Sequence, residues 1–161
     1  MSVCVFNRQW TRKVNLRLLK EITEALLADL KIEEAGLGVN LVAAREMVLI
    51  NETFLQHEGS TDVITFDYLE KLKPEDGKRK HFHGEIFVCV DEAILQSKKF
   101  KTTWQLEIVR YIVHGILHLL GHDDLRAAAR RKMNREENRL LRRLSRRFSL
   151  AEPAGAAKLA M

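Results

Sequence analysis

Cysteine and proline are both scarce, two of each in a chain of 161 residues. Cys4 and Cys89 lie far apart with no C-x-x-C pair, which argues against a cysteine zinc cluster and fits a reducing compartment. Both read as buried structural thiols. The prolines, Pro74 and Pro153, fall in a stretch that reads as a loop and in the C-terminal tail. Long apolar runs are missing too: none approaches the ~18 residues that a membrane-spanning helix needs. The opening MSVCVFNRQW lacks the apolar core of a secretory signal. The expectation is therefore a soluble, cytoplasmic protein with no membrane partner. No internal repeat is visible.

What is present is an ordinary globular composition, 46% hydrophobic and 30% charged, in a chain long enough to bury one core and too short to suggest two. Residues 1–150 read as a single domain and residues 151–161, AEPAGAAKLAM, as a flexible tail. Charge is unevenly spread. Between Arg126 and Arg147 there are ten Lys or Arg against Glu136 and Glu137, a local charge of +8 that leaves −3 for the rest of a chain whose net is +5. A basic element on a slightly acidic body is the footprint expected for a polyanion such as RNA, although a solvated helix face has the same composition. Arg139, Arg142 and Arg143 are the RNA-binding candidates.

Strand-like and helix-like patterns alternate, which predicts an α+β fold: one mixed sheet of about four strands covered by about five helices. Strands are expected at Ser2 to Phe6, Leu37 to Ala43, Thr61 to Tyr68 and Gly84 to Val90, the last two forming an antiparallel pair around a loop at Leu72 to His81. Helices are expected over Lys13 to Leu30, Arg45 to Gln56, a short piece opening at Asp91, Thr103 to Leu120, and Arg126 to Arg147. Met133, Leu140, Leu141 and Leu144 mark the inner side of the last. Thr102 and Gln105 have the spacing of a capping box.

Six histidines occur in the chain, and three of them, with two aspartates, fall in the eleven residues from His114 to Asp124. His114 and His118 are four apart, so a helix turns them by only about 40° and stacks both imidazoles on one face. Gly121 can end that helix in a left-handed conformation and let the chain swing back. A third ligand would then come from beyond it. Asp124 is favoured, His122 being the stronger donor by type but placed inside the turn; Asp124 or Asp123 could alternatively cap the next helix. Two histidines and a carboxylate, with water in a fourth place, is a zinc-hydrolase pattern. In H-E-x-x-H metallopeptidases the residue after the first histidine is the general base. Here it is Gly115, which cannot take a proton and whose missing side chain is expected to leave a gap beside the metal for substrate.

With these residues the sequence resembles the YbeY family of bacterial rRNA maturation factors, regarded as zinc-dependent endoribonucleases. The family signature, approximately H-G-x-L-H-L-x-G-y-D-H, is matched by His114, Gly115, Leu117, His118, Leu119, Gly121 and Asp123, with Asp124 at the final histidine position. A second block is matched by INETFLQHEGSTDVITF, Ile50 to Phe66, and a G-[DE]-I strand by Gly84 to Ile86. The chain departs from the pattern twice: Asp124 replaces the third zinc histidine, and Leu55 stands at a family arginine whose work another cation such as Lys98 or Lys99 would have to do.

The resemblance implies a zincin-like metal site holding one Zn2+ per chain on His114, His118 and Asp124. It also implies a single-strand-specific endoribonuclease acting on the rRNA precursor of the small ribosomal subunit, in maturation and quality control. No side chain presents itself as general base, so a zinc-activated water is the candidate nucleophile. Two other readings stand beside this one. One is a zinc-stabilised RNA-binding assembly factor without turnover; the other, disfavoured by Gly115, is a metallopeptidase.

Overall fold

In the computed structural model, residues 1–55, 61–69 and 79–149 are described. The elements run β1 (Ser2–Asn7), α1 (Leu16–Asp29), β2 (Glu34–Val42), α2 (Ala44–Phe54), β3 (Val63–Asp67), β4 (His81–Cys89), α3 (Val90–Phe100), α4 (Trp104–Leu119) and α5 (Ala127–Phe148). The four strands form one sheet in the order β1-β2-β4-β3. β1 and β4 both run parallel to β2, and β3 closes the edge antiparallel to β4, with Val63 opposite Val88 and Asp67 opposite Gly84. This is the single-domain α+β arrangement expected, four strands and five helices among the described residues. The expected tail at 151–161 and most of the loop before His81 lie outside them.

Alternation along the strands decides which side is buried. Ala35, Leu37, Val39 and Leu41 of β2 and Phe82, Ile86 and Val88 of β4 enter one large core with Leu19, Ile22 and Leu26 of α1, Ile108, Ile112 and Ile116 of α4, and Met133, Leu140 and Leu144 of α5. Among the described residues the opposite face is covered at one end, where Met47 and Ile50 of α2 pack on Val42, Ile64 and Cys89. α4 thus lies between the sheet and α5, buried on both sides, and its C-terminal end reaches the β3 edge.

Several element ends and caps differ from those expected. α1 begins at Leu16, three residues later than expected, because the Asn15 side chain accepts from the Leu18 amide and caps the helix there. The cap of α4 is Thr103, whose hydroxyl accepts from the Leu106 amide, while Thr102 donates instead to Glu107 at 2.7 Å. Gln105 takes no part in a capping box. β4 starts at His81, since pairing with Glu34 extends it beyond the apolar run. Cys89 is buried as expected, but Cys4 is exposed on the uncovered sheet face.

Candidate metal centre

Helical spacing in α4 puts the imidazoles of His114 and His118 on one face, edge to face rather than stacked, with ring centroids 4.8 Å apart and their Nε2 atoms at 3.2 Å. The helix then ends in a Schellman motif. Gly121, at φ 105°, donates to the His118 carbonyl at 3.0 Å, and the His122 amide donates to Leu117 at 3.0 Å. That reversal returns the chain over the last turn. The Asp124 Oδ2 comes to 3.9 Å from His114 Nε2 and 3.8 Å from His118 Nε2.

One donor atom from each of His114, His118 and Asp124 falls within 4.8 Å of the others. In tetrahedral zinc, with bonds of ~2.0–2.1 Å, donor atoms sit roughly 3.3 Å apart. The histidine pair already has that spacing, and the carboxylate lies about half an ångström beyond it, within reach of a side-chain rotation. Two imidazole nitrogens and a carboxylate oxygen are also a donor set that zinc accepts. The three expected ligands therefore come together and fit a divalent ion.

His122 is not in this group and sits near Glu136 of α5, helping to favour that carboxylate's charged form. The capping role considered for the aspartates is filled by neither. Arg126 precedes α5 without a side-chain cap, and Asp123 accepts from the Leu125 amide in a local turn.

The expected gap at Gly115 is absent. A Cβ there would lie 2.8 Å from Ile86 Cδ1 and 3.0 Å from two further Ile86 carbons, so the glycine lets α4 press onto β4 and faces the sheet rather than the metal group. Space for a substrate lies elsewhere. A cleft of about 440 Å³ is lined by the triad together with Leu55, Thr61, Asp62, Thr65 and Asp67. A larger cavity, about 740 Å³, opens over Gly36 and Gly38 on the uncovered face and includes none of the triad.

Glu137 of α5 is a neighbour of the group that helical spacing within α4 does not reveal. Its Oε1 lies 2.8 Å from His114 Nδ1, and Oε2 accepts from Arg110 at 3.1 Å. Burial disfavours the His114 cation, but the Glu137 hydrogen bond and charge, with Asp62 and Asp124 behind them, outweigh it and leave the pKa above the ordinary histidine value. A signal existed in the sequence: Glu137 sits at helical spacing between Met133 and Leu140, a carboxylate inside an apolar stripe.

The basic side chains of α5 are all exposed. Arg139 and Arg142 share a groove with Lys132 and Arg135, whereas Arg143 lies on the flank, 3.4 Å from Asp29 of α1, and Arg139 is also paired with Glu136. Leu55 lines the cleft. Lys98 and Lys99, considered as substitutes for the missing arginine, are exposed on α3 and do not line it. Closer to the triad is Arg130, whose guanidinium reaches the Asp124 carbonyl at 3.5 Å.

Residues 5–145 match the family described as Endoribonuclease YbeY. The Endoribonuclease YbeY of Chlorobium phaeovibrioides is 37% identical over 124 residues, 74% of this chain and 78% of the relative. That of Chlorobium limicola is 31% identical over 150 residues, 90% of this chain and 94% of the relative. A solution structure of a Thermotoga maritima protein shares the fold, with a TM-score of 0.64 at 21% identity over 91% of both chains. The signature around His114, the folded core and the length of the match agree, and the chain belongs to the YbeY endoribonuclease family.

Proposed function

We propose that this protein is a single-strand-specific, zinc-dependent endoribonuclease that acts on the rRNA precursor of the small ribosomal subunit, in maturation and quality control in the cytoplasm. Residues 1–150 form the hydrolase unit. The observation that carries the reading is the convergence of His114, His118 and Asp124 at the mouth of a solvent-open cleft, in a chain of the YbeY family.

His114, His118 and Asp124 would hold one Zn2+. The bound ion would supply a water acidified to near neutral pH and positive charge for a phosphoryl oxygen. The chain's own residues do the rest. Glu137 reaches His114 Nδ1 at 2.8 Å from α5. Thr61 and Thr65 give the cleft neutral hydrogen-bonding side chains, and Leu55 gives it an apolar rim. The basic face of α5 attracts the RNA backbone without reading sequence.

Cleavage of a single-stranded RNA oligonucleotide by the purified protein tests this. Activity should disappear with a chelator, return with Zn2+, and be absent in His114→Ala. One observation favours a second reading. Leu55 lines the cleft where the family pattern has arginine, so the protein could bind RNA as a zinc-stabilised assembly factor without turnover. RNA binding that survives His114→Ala, with no cleavage by wild type under any metal, would select it.

A further inference from the structure

Glu137 occupies an unfavourable place for a carboxylate. Only 8% of the residue is exposed, and it lies among Met133, Leu140 and Leu144, where α5 packs on α4. Packing alone would be served as well by an apolar side chain, because removing two partly desolvated charges from a helix contact is often neutral or stabilising. The position of its oxygens suggests what the charge is for. Oε2 is held by Arg110 at 3.1 Å, with Arg110 also 3.3 Å from the Asn138 side-chain oxygen, and Oε1 is spent on a single atom, His114 Nδ1 at 2.8 Å.

A carboxylate can only accept, so this contact requires the hydrogen of neutral His114 to sit on Nδ1. The lone pair is then on Nε2, the atom that lies 3.2 Å from His118 Nε2 and 3.9 Å from Asp124 Oδ2. Without the carboxylate both tautomers are available, and in the one bearing hydrogen on Nε2 the atom that faces His118 and Asp124 has no lone pair to offer a cation. Arg110 keeps the second oxygen engaged, which holds the carboxylate plane and its charge in place. The order of contacts is Arg110, Glu137, His114 and then the donor cluster.

We propose that Glu137 is a positioning residue of the metal centre: reaching across from α5, it selects the Nδ1-protonated tautomer of His114 and thereby presents Nε2 as a ligand. This rests on the reading of His114, His118 and Asp124 as metal ligands.

Two measurements test it. In wild-type apoprotein with 15N-labelled histidine, at a pH where His114 is neutral, long-range proton–nitrogen spectra should show hydrogen on Nδ1 and a bare Nε2. Hydrogen on Nε2 would overturn the inference, and this result needs no variant to fold. In Glu137→Gln, the side-chain amide can donate as well as accept, so the constraint is lifted. Zn2+ affinity by chelator competition should fall by roughly 10–100-fold, the usual effect of losing such an outer partner, while circular dichroism shows a folded protein. Unchanged affinity with an unchanged tautomer would reduce Glu137 to a link between helices. If wild type itself holds no Zn2+, the site reading fails and carries this inference with it. Wild type that binds beside a Glu137→Gln that binds equally well overturns the inference alone.

Discussion

Asp124 and His122 stand two residues apart, yet the turn at Gly121 sends only the carboxylate back to the histidine pair. Asp124→Ala should therefore leave far less than one Zn2+ per chain after dialysis, and His122→Ala should stay near one. Metal analysis of both beside wild type checks this, and full zinc in Asp124→Ala with loss in His122→Ala would exchange their roles. A second residue has an effect whose sign differs from the usual rule. Glycine inside a helix ordinarily destabilises it by about 1 kcal/mol relative to alanine, so Gly115→Ala would be stabilising on an open face. Here the added methyl meets Ile86 at 2.8 Å. Overpacking of this kind costs about 1–3 kcal/mol. Urea unfolding of Gly115→Ala should show a net loss, most of which returns when Ile86→Val is added. A stabilised single variant would show that the helix and sheet can separate freely.

At the scale of the element, α5 is the unusual member. Ten cations precede or lie along a helix whose inner face carries Met133, Leu140, Leu141 and Leu144, and the cations all point to solvent. Repulsion among them is screened by salt over about 10 Å at 0.1 M. The melting temperature should rise as NaCl goes from low to moderate concentration, opposite to what a surface stabilised by ion pairs would do. RNA affinity should move the other way. Each phosphate contact removed flattens the slope of log K against log salt by about 0.7 for a single strand. Replacing Arg139, Arg142 and Arg143 by Ala should reduce that slope, with Arg142 contributing most because the other two already face carboxylates. An unchanged slope would mean that this half of α5 is only solvated. The same helix has an acid-sensitive contact. The Arg139 side chain holds the Glu136 carboxyl below its ordinary 4.5. A depressed carboxyl stabilises the fold above its unfolded-state pKa and loses that contribution as pH falls through the folded value. Glu136→Gln should therefore shrink the drop in melting temperature below about pH 4.5, as read from melts at successive pH values.

Across the whole molecule, one buried side chain ties the sheet edge to the helix that bears the site. Arg79 is almost fully enclosed. It pairs with Asp67 at the end of β3 at 2.6 Å, donates to the Leu119 carbonyl at the end of α4 at 2.9 Å, and donates to Leu69 at 3.0 Å. Removing one partner of a buried pair leaves the other charge uncompensated, a loss of about 3–5 kcal/mol. Arg79→Ala should destabilise the protein by that order in urea, and Arg79→Met combined with Asp67→Asn should recover much of it. Equal losses in the single and double variants would mean that Asp67 is hydrated and the brace is weak.

The histidine pair, the helix-ending glycine and the returning aspartate were legible in sequence because all four belong to one local segment, where helical geometry and a Schellman turn set the distances. The strands, the helices and the inner side of α5 were legible for the same reason, since burial repeats at the period of the element. Local pattern could not show which groups arrive from a distance. Glu137 reaches His114 from 23 positions along the chain, Arg79 reaches Leu119 from 40, and Ile86 fills the space beside Gly115 because β4 lies under α4. Cys4 likewise has a strand-like neighbourhood in sequence, and is exposed because none of the described helices covers that part of the sheet. Chain geometry over a few residues is dictated by bond rotations and spacing. The partner that satisfies a buried charge, or fills the place of a missing side chain, is chosen by the packing of whole elements against each other.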